Sequence, residues 1–205
     1  MDRFKNKAKT WDDNPARVEM AQKFFSEIIK SVDIKKAASI LDFGCGTGLL
    51  GLQFQDKVNH ISMIDTSKEM LDVLTEKIKQ NNFKNITIIN SAIENAHINR
   101  HSFDLIASLM ALHHVVNIKN IVNVFNIILK PGGYVIIGDL ITEDGSFHNY
   151  EHVEHHGFDL DFIKNLFETN GFEIKRLEIF NVLNKPDENG RINQFEQLIL
   201  IARLR

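Results

Sequence analysis

Ile40-Leu41-Asp42-Phe43-Gly44-Cys45-Gly46-Thr47-Gly48-Leu49-Leu50 decides how the rest of the chain is read. An apolar run ends in an acid, glycines follow at alternate positions, and a new apolar periodicity begins. The pattern predicts a buried strand, a tight loop and the start of a helix. Glycines, lacking Cβ, let the backbone turn sharply and approach a ligand closely. The free N–H groups of such a loop and helix start suit a polar, partly anionic ligand. The spacing is Gly-x-Gly-x-Gly, not the dinucleotide fingerprint Gly-x-Gly-x-x-Gly. It is not a phosphate loop either, since no Gly-Lys-Ser/Thr follows.

Around this stretch the chain alternates helices and short apolar runs. Ala16 to Val32 is amphipathic, with Met20, Phe24 and Ile28 on one side and Asn14-Pro15 at its start. Strands are expected at 39–43, 60–65, 86–90, 103–108 and 134–139. A first crossover helix is expected over 47–55. Thr66-Ser67-Lys68-Glu69 reads as a capping box that opens the next helix. A further helix covers 117–129 and is stopped by Lys130-Pro131-Gly132-Gly133, and another covers 159–169. Two late strands, 172–180 and 195–202, have no helix between them and predict an antiparallel hairpin joined by a polar loop over 184–193. Nearly all-apolar early strands alternating with helices argue for a parallel sheet covered on both faces.

The 205 residues suffice for one domain with a full core, expected to span 1–205 with an N-terminal helical lid segment over 1–32. The formal charge of −3 gives no global attraction to phosphate backbones, so nucleic acid is not an expected partner. No apolar run approaches a membrane span, and no membrane partner is expected. Met1-Asp2-Arg3-Phe4-Lys5 leads into no apolar signal segment. With a lone cysteine, Cys45, this suggests a reducing, cytoplasmic setting. Cys45 reads as a small buried filler of the loop, not a nucleophile.

Leu41-Asp42-Phe43-Gly44-Cys45-Gly46-Thr47-Gly48 resembles the first signature of the class I S-adenosylmethionine-dependent methyltransferases. Phe103-Asp104-Leu105-Ile106-Ala107-Ser108 with Ala111-Leu112-His113-His114-Val115 is similar to the fourth signature of the small-molecule branch. Leu129-Lys130-Pro131-Gly132-Gly133 is similar to the family's wording before strand five. The nearest type is methyltransferase type 11 or 12, similar to ubiquinone- and menaquinone-biosynthesis methyltransferases. The resemblance implies an α/β, Rossmann-like fold, a seven-stranded mostly parallel sheet in the order 3-2-1-4-5-7-6 with helices on both faces. It implies S-adenosylmethionine as cofactor and a small-molecule methyl acceptor. No Asn/Asp-Pro-Pro-Tyr/Phe segment follows strand four, which argues against methylation of base or glutamine amino groups.

Ligands in such sheets bind outside the carboxyl ends of the strands. At strand one, cofactor contacts are expected from Asp42, Gly44, Cys45, Gly46, Thr47 and Gly48. Strand two ends in Asp65, with Thr66 beside it as a further expected cofactor contact; the Asp65 carboxylate can accept both hydroxyls of a ribose or simply act as a helix-capping acid before Thr66. Met70 can lie against an adenine face or pack in the core. After strand three, Ser91 stands where relatives commonly carry an Asp, and backbone groups at Ala92 and Ile93 can read the purine edge. Carbonyls near Ser108 and Leu109 would meet the methionine ammonium.

His113 and His114 follow strand four, where a transferred methyl would lie. A second group, His148-Asn149-Tyr150-Glu151-His152-Val153-Glu154-His155-His156, follows strand five. On a helix, His148, His152 and His156 would share a face with metal-ligand spacing. There is no His-Glu-x-x-His and no nearby cysteine, and similar enzymes usually need no metal, so no metal is expected. His114 and His156 are the candidate catalytic residues; His113 and Trp11 are the candidate substrate contacts. Trp11 lies in a segment, 4–17, that can act as a lid or merely pack on the first helix. The expected protein is a monomer or homodimer. Two other functions stay open: a nicotinamide-dependent oxidoreductase, and a cofactor-binding protein of the same fold without turnover.

Overall fold

The computed structural model describes residues 7–187 and 189–205; the start of the N-terminal segment, 1–6, lies outside them. Seven strands make one sheet in the order β3-β2-β1-β4-β5-β7-β6. They are β1 (Ser39–Phe43), β2 (His60–Asp65), β3 (Ile86–Asn90), β4 (Phe103–Leu109), β5 (Leu129–Leu140), β6 (Phe172–Pro186) and β7 (Ile192–Leu204). The first five run parallel, and β7 lies antiparallel between β5 and β6. This is the order that the sequence resemblance implied.

Helices α1 (Pro15–Ser31), α2 (Lys68–Asn81), α3 (Ile118–Ile128) and α4 (Leu160–Thr169) cover the sheet. Each begins where a short polar side chain takes an unpaired backbone N–H. Asn14 accepts from Ala16, Ser67 from Met70, Asn117 from Asn120 and Asp159 from Phe162. The cap of α2 is Ser67 rather than Thr66, one residue later than the capping-box reading. The Asp65 carboxylate holds the Ser67 N–H at 2.8 Å and so delays the first helical turn.

The sheet separates two apolar layers. On one side Phe125, Ile163 and Phe167 from α3 and α4 pack against Ile106, Val135 and Leu200. On the other, Phe24, Ile28, Leu71 and Leu74 from α1 and α2 pack against Ile40, Met63 and Ile136. The near-continuous apolar runs of the central strands are what burial on both faces requires.

Three boundaries differ from the sequence reading. The segment over 47–55 is no α-helix; only a 3-10 turn, Gly51–Phe54, forms there. Gly48 has φ +86°, outside the helical region. At Gly51 the Asp42 carboxylate and Met63 side chain occupy the space where a Cβ would project. The Lys130–Gly133 stretch does not end a helix in a loop but runs on as the start of β5, beside a register shift at Phe103/Leu105 of β4. The final hairpin is longer than expected, because the ladder continues through the pairs Asn184–Gln194, Lys185–Asn193 and Pro186–Ile192, residues whose polar and proline-containing composition reads as a loop.

Candidate functional site

The glycine loop leaves β1 tied to its neighbour: Gly44 N and Cys45 N donate to the Ile64 carbonyl at 2.9 and 3.1 Å. Its three glycines have different reasons to be glycine. A Cβ on Gly44 (φ +68°) would lie 2.3 Å from the Ala111 Cβ. A Cβ on Gly48 would lie 2.6 Å from Leu74. A Cβ on Gly46 (φ +51°) would meet nothing within 4 Å. The outer two are therefore demanded by packing, while the middle one faces an open cradle of backbone.

Asp65 stands over that cradle. Its Oδ2 accepts the Gly46 N–H and its Oδ1 the Ser67 N–H, both at 2.8 Å. It caps and it faces the loop at once, so the two readings of this acid are compatible. Behind the loop, Asp42 is buried and accepts the Gly51 N–H at 2.9 Å. Burial pushes its carboxyl up to about 7; the Gly51 hydrogen bond opposes this and the Asp65 charge reinforces it. Burial likewise pushes the Cys45 thiol up, with the Asp42 and Asp65 charges adding, so a thiolate is disfavoured there.

The remaining strand-end residues fall around the same crevice. Ser91 donates its N–H to the Asp65 carbonyl at 3.2 Å and its hydroxyl to the Ala92 carbonyl at 2.8 Å. Ile93 is buried at the start of a 3-10 turn. Met70 is buried too, whereas Thr66 is exposed. At the end of β4, Ser108 is buried and its Oγ has no hydrogen-bond partner, while Leu109 is partly buried. Above the glycine loop, Asp12 from a 3-10 turn (Ala8–Asp13) accepts the Thr47 hydroxyl at 2.6 Å. Lys77 of α2 pairs with Asp12 and donates to the Thr47 carbonyl at 2.8 Å. Trp11 lies under the Arg17 guanidinium, 3.7 Å from its ring centre. The N-terminal segment is thus pinned directly to the loop, a contact for which neither Asp12 nor Lys77 gave a sequence signal.

Beyond β4, a 3-10 turn (Leu112–His114) sets two imidazoles side by side, their centroids 4.1 Å apart. His113 is buried, and its Nδ1 lies 2.6 Å from Oδ1 of Asp139 at the end of β5. No helix carries His148, His152 and His156, so the shared face that a helical period would give them is not formed. Only Ser146–His148 makes a short turn, and Asn149 and Tyr150 follow at φ 53° and 58°. Of that group it is His148, rather than His156, whose ring reaches the first pair, 5.0 Å from His113 and 5.4 Å from His114. His156 turns to Glu143, with Nδ1 3.4 Å from a carboxylate oxygen, and its side chain is half exposed. His152 sits beside Glu154 on the surface. Asp139 was missed in the sequence, although an acid closing an apolar strand is the signal that marked Asp65.

Residues 40–133 match a family described as a methyltransferase domain. An uncharacterized methyltransferase of Schizosaccharomyces pombe is 31% identical over 150 residues, covering 65% of this chain and 53% of that protein. A demethylmenaquinone methyltransferase of Listeria welshimeri is 26% identical over 114 residues, covering 54% of this chain and 48% of that protein. The chain thus spans about half the length of these curated relatives. Among solved structures, YcgJ of Bacillus subtilis has a TM-score of 0.75 at 19% identity, covering 90% of this chain and 99% of that one. A SAM-dependent methyltransferase of Aquifex aeolicus has a TM-score of 0.73 at 19% identity, covering 98% of each. At such identity these structures speak to the fold alone. Residues 40–133 thus resemble a methyltransferase domain, and the sheet has the strand order that the signatures of the sequence imply.

Proposed function

We propose that this protein binds S-adenosylmethionine at the ends of β1, β2 and β4 and transfers its methyl group to a small-molecule acceptor. The observation that carries this is the open cradle at Gly46 directly beneath the Asp65 carboxylate. A backbone cradle beside an acid suits a ligand that pairs a diol with a polar chain. The buried, unpartnered Ser108 hydroxyl at the end of β4 supplies a further polar atom on that side.

When bound, the sulfonium supplies an electrophilic methyl group for in-line displacement. The chain's own part is to orient and to exclude water. Asp65 would accept the ribose hydroxyls while keeping its two backbone donors, since each carboxylate oxygen has a second lone pair. Gly46, with Gly44, Cys45 and Gly48 holding its geometry, would let the ligand approach the backbone, and Asp42 would set the loop through Gly51. Ser91, Ala92 and Ile93 would border the purine, with Met70 beneath it. Ser108 and Leu109 would face the ammonium group. The segment carrying Trp11 and Asp12, docked on Thr47, would close the cofactor side. His114 is the proposed catalytic residue, a base for an acceptor that must lose a proton; His113, fixed by Asp139, would shape the acceptor side. No long apolar helix able to cross a membrane occurs among the described residues, which fits an acceptor met in water.

Calorimetry with S-adenosylmethionine, S-adenosylhomocysteine and NAD, followed by a product screen across thiols, phenols, amines and carboxylates, tests the reading. The two adenosyl ligands should bind and NAD should not compete. Preferential NAD binding would instead support an oxidoreductase. Cofactor binding without turnover of any acceptor class would favour a non-catalytic protein. His114→Ala should keep cofactor affinity and lose methyl transfer.

A further inference from the structure

We infer that His113, His114 and His148 form a binding site for a zinc-class divalent cation. Their ring nitrogens offer one ligand atom each, all within 4.8 Å of one another. Tetrahedral zinc with Zn–N bonds of about 2.1 Å needs nitrogens about 3.4 Å apart, so small side-chain rotations close the set. Imidazole donors of this kind select zinc and its neighbours over magnesium or calcium, which take oxygen.

Proximity alone would leave three stacked rings. The arrangement behind them points to a cation. Asp139 is fully buried and accepts from three donors: His113 Nδ1 at 2.6 Å, His113 N at 3.2 Å and Leu140 N at 2.7 Å. A carboxylate so placed requires the hydrogen on Nδ1 of His113 and leaves the lone pair on Nε2. That Nε2 is buried and has no hydrogen-bond partner. A buried lone pair with no donor costs free energy unless something electropositive meets it. The chain of carboxylate, imidazole and open nitrogen is the supporting shell that orients histidine ligands in metal sites.

The third ligand is delivered by a braced loop. The Glu143 carboxylate accepts from Gly145 N at 2.8 Å and Phe147 N at 2.9 Å. Lys185 of β6 donates to the Phe147 carbonyl and to Asn149. Phe147 packs edge-on against Phe195 of β7. His148 is therefore presented by contacts to two other strands, and its approach to the β4 turn does not rest on the loop's own length. Three protein ligands leave a fourth position, which opens the cation to an exogenous donor atom; with zinc bound, the lone pair of His114 is spent on the cation, so its role as a base belongs to the metal-free protein.

The test uses the whole protein, stripped with a chelator and free of any adenosyl ligand, so its result is independent of the methyl-transfer reading. Zinc competition against a chromophoric chelator should show one equivalent bound, and cobalt should give the intense visible bands of a tetrahedral site. Zinc should also raise the melting temperature of the wild type. His114 and His148 carry the test because their rings are only partly buried, whereas loss of His113 disturbs the core. His114→Ala and His148→Ala, each folded by circular dichroism, should weaken zinc binding about 100-fold or more, and Asp139→Asn about 10-fold or more. His152→Ala, on the surface beside Glu154, should bind zinc as the wild type does. Failure of the wild type to bind one equivalent, or undiminished zinc affinity in His148→Ala, would overturn the site.

Discussion

The two halves of the crevice are built by different means. At β1 and β2 the proposed binding surface is backbone: alternate glycines from one short stretch, steered by Asp65 at the end of the adjacent strand. At β4 and β5 it is side chain: His113, His114, Asp139 and His148 reach one place from two strand ends and a distant loop. A backbone cradle must be written locally, because glycine is needed wherever the chain turns left-handed or another atom comes close. A side-chain cluster can be assembled from residues far apart, since only their final positions matter. The first half is therefore damaged by adding atoms and the second by removing them.

The largest effects should come from one substitution in each half. Gly44→Ala forces a Cβ onto Ala111 at a left-handed φ, and should destabilise the fold by about 3–5 kcal/mol from strain plus overlap. Asp139→Ala removes the shared acceptor of three buried donors and should cost about 2–5 kcal/mol. Denaturant melts measure both. If Gly44→Ala melted like the wild type, the glycine half would not be the rigid backbone surface described here.

Asp42 lies beneath the glycine half and gives it a pH dependence. Its folded pKa is raised from 3.8 to about 7, so between those values the native state holds a proton that the unfolded chain releases. Stability therefore falls as pH rises through that window, by an amount on the order of a few kcal/mol, and levels off above it. Asp42→Asn removes this titration. The stability of the variant minus that of the wild type should climb from pH 4 to 7, and a pH-independent difference would mean that Asp42 titrates normally.

Asp65→Ala should be milder for the fold and specific for ligand. Losing the carboxylate should weaken S-adenosylmethionine binding by about 1–3 kcal/mol and remove the anchors of Gly46 and Ser67. Unchanged affinity in a folded variant would reduce Asp65 to a helix cap.

The contrast between the halves also explains what could be read from the sequence. The alternation of strands and helices followed from apolar runs, and the strand order from the resemblance carried by signatures between Leu41 and Asp139. The failures have physical causes. The helix expected over 47–55 foundered on Gly48 and Gly51, whose backbones serve the loop and the packing of Asp42. The helical period that would set His148, His152 and His156 on one face is broken at Asn149 and Tyr150, which take left-handed conformations. His148 was in view from the start, but its meeting with His113 depends on Glu143, Lys185 and Phe195, which no local pattern connects to it.

The smallest expected effect falls on the segment that spans the first half from above. Asp12 joins Thr47 of the loop to Lys77 of α2, so the N-terminal turn rests on the backbone cradle through one carboxylate. Both charged partners are partly exposed, which limits the pair to less than about 1 kcal/mol of stability. Asp12→Ala should therefore barely move the melting temperature. It should free the turn that carries Trp11, seen as faster proteolysis within residues 7–17 and slowed again by S-adenosylmethionine if the segment closes over the cofactor. Faster cleavage that the cofactor does not slow would leave the segment a packing element on α1. Cleavage no faster than in the wild type would mean that the Arg17–Trp11 contact, and not Asp12, holds the turn in place.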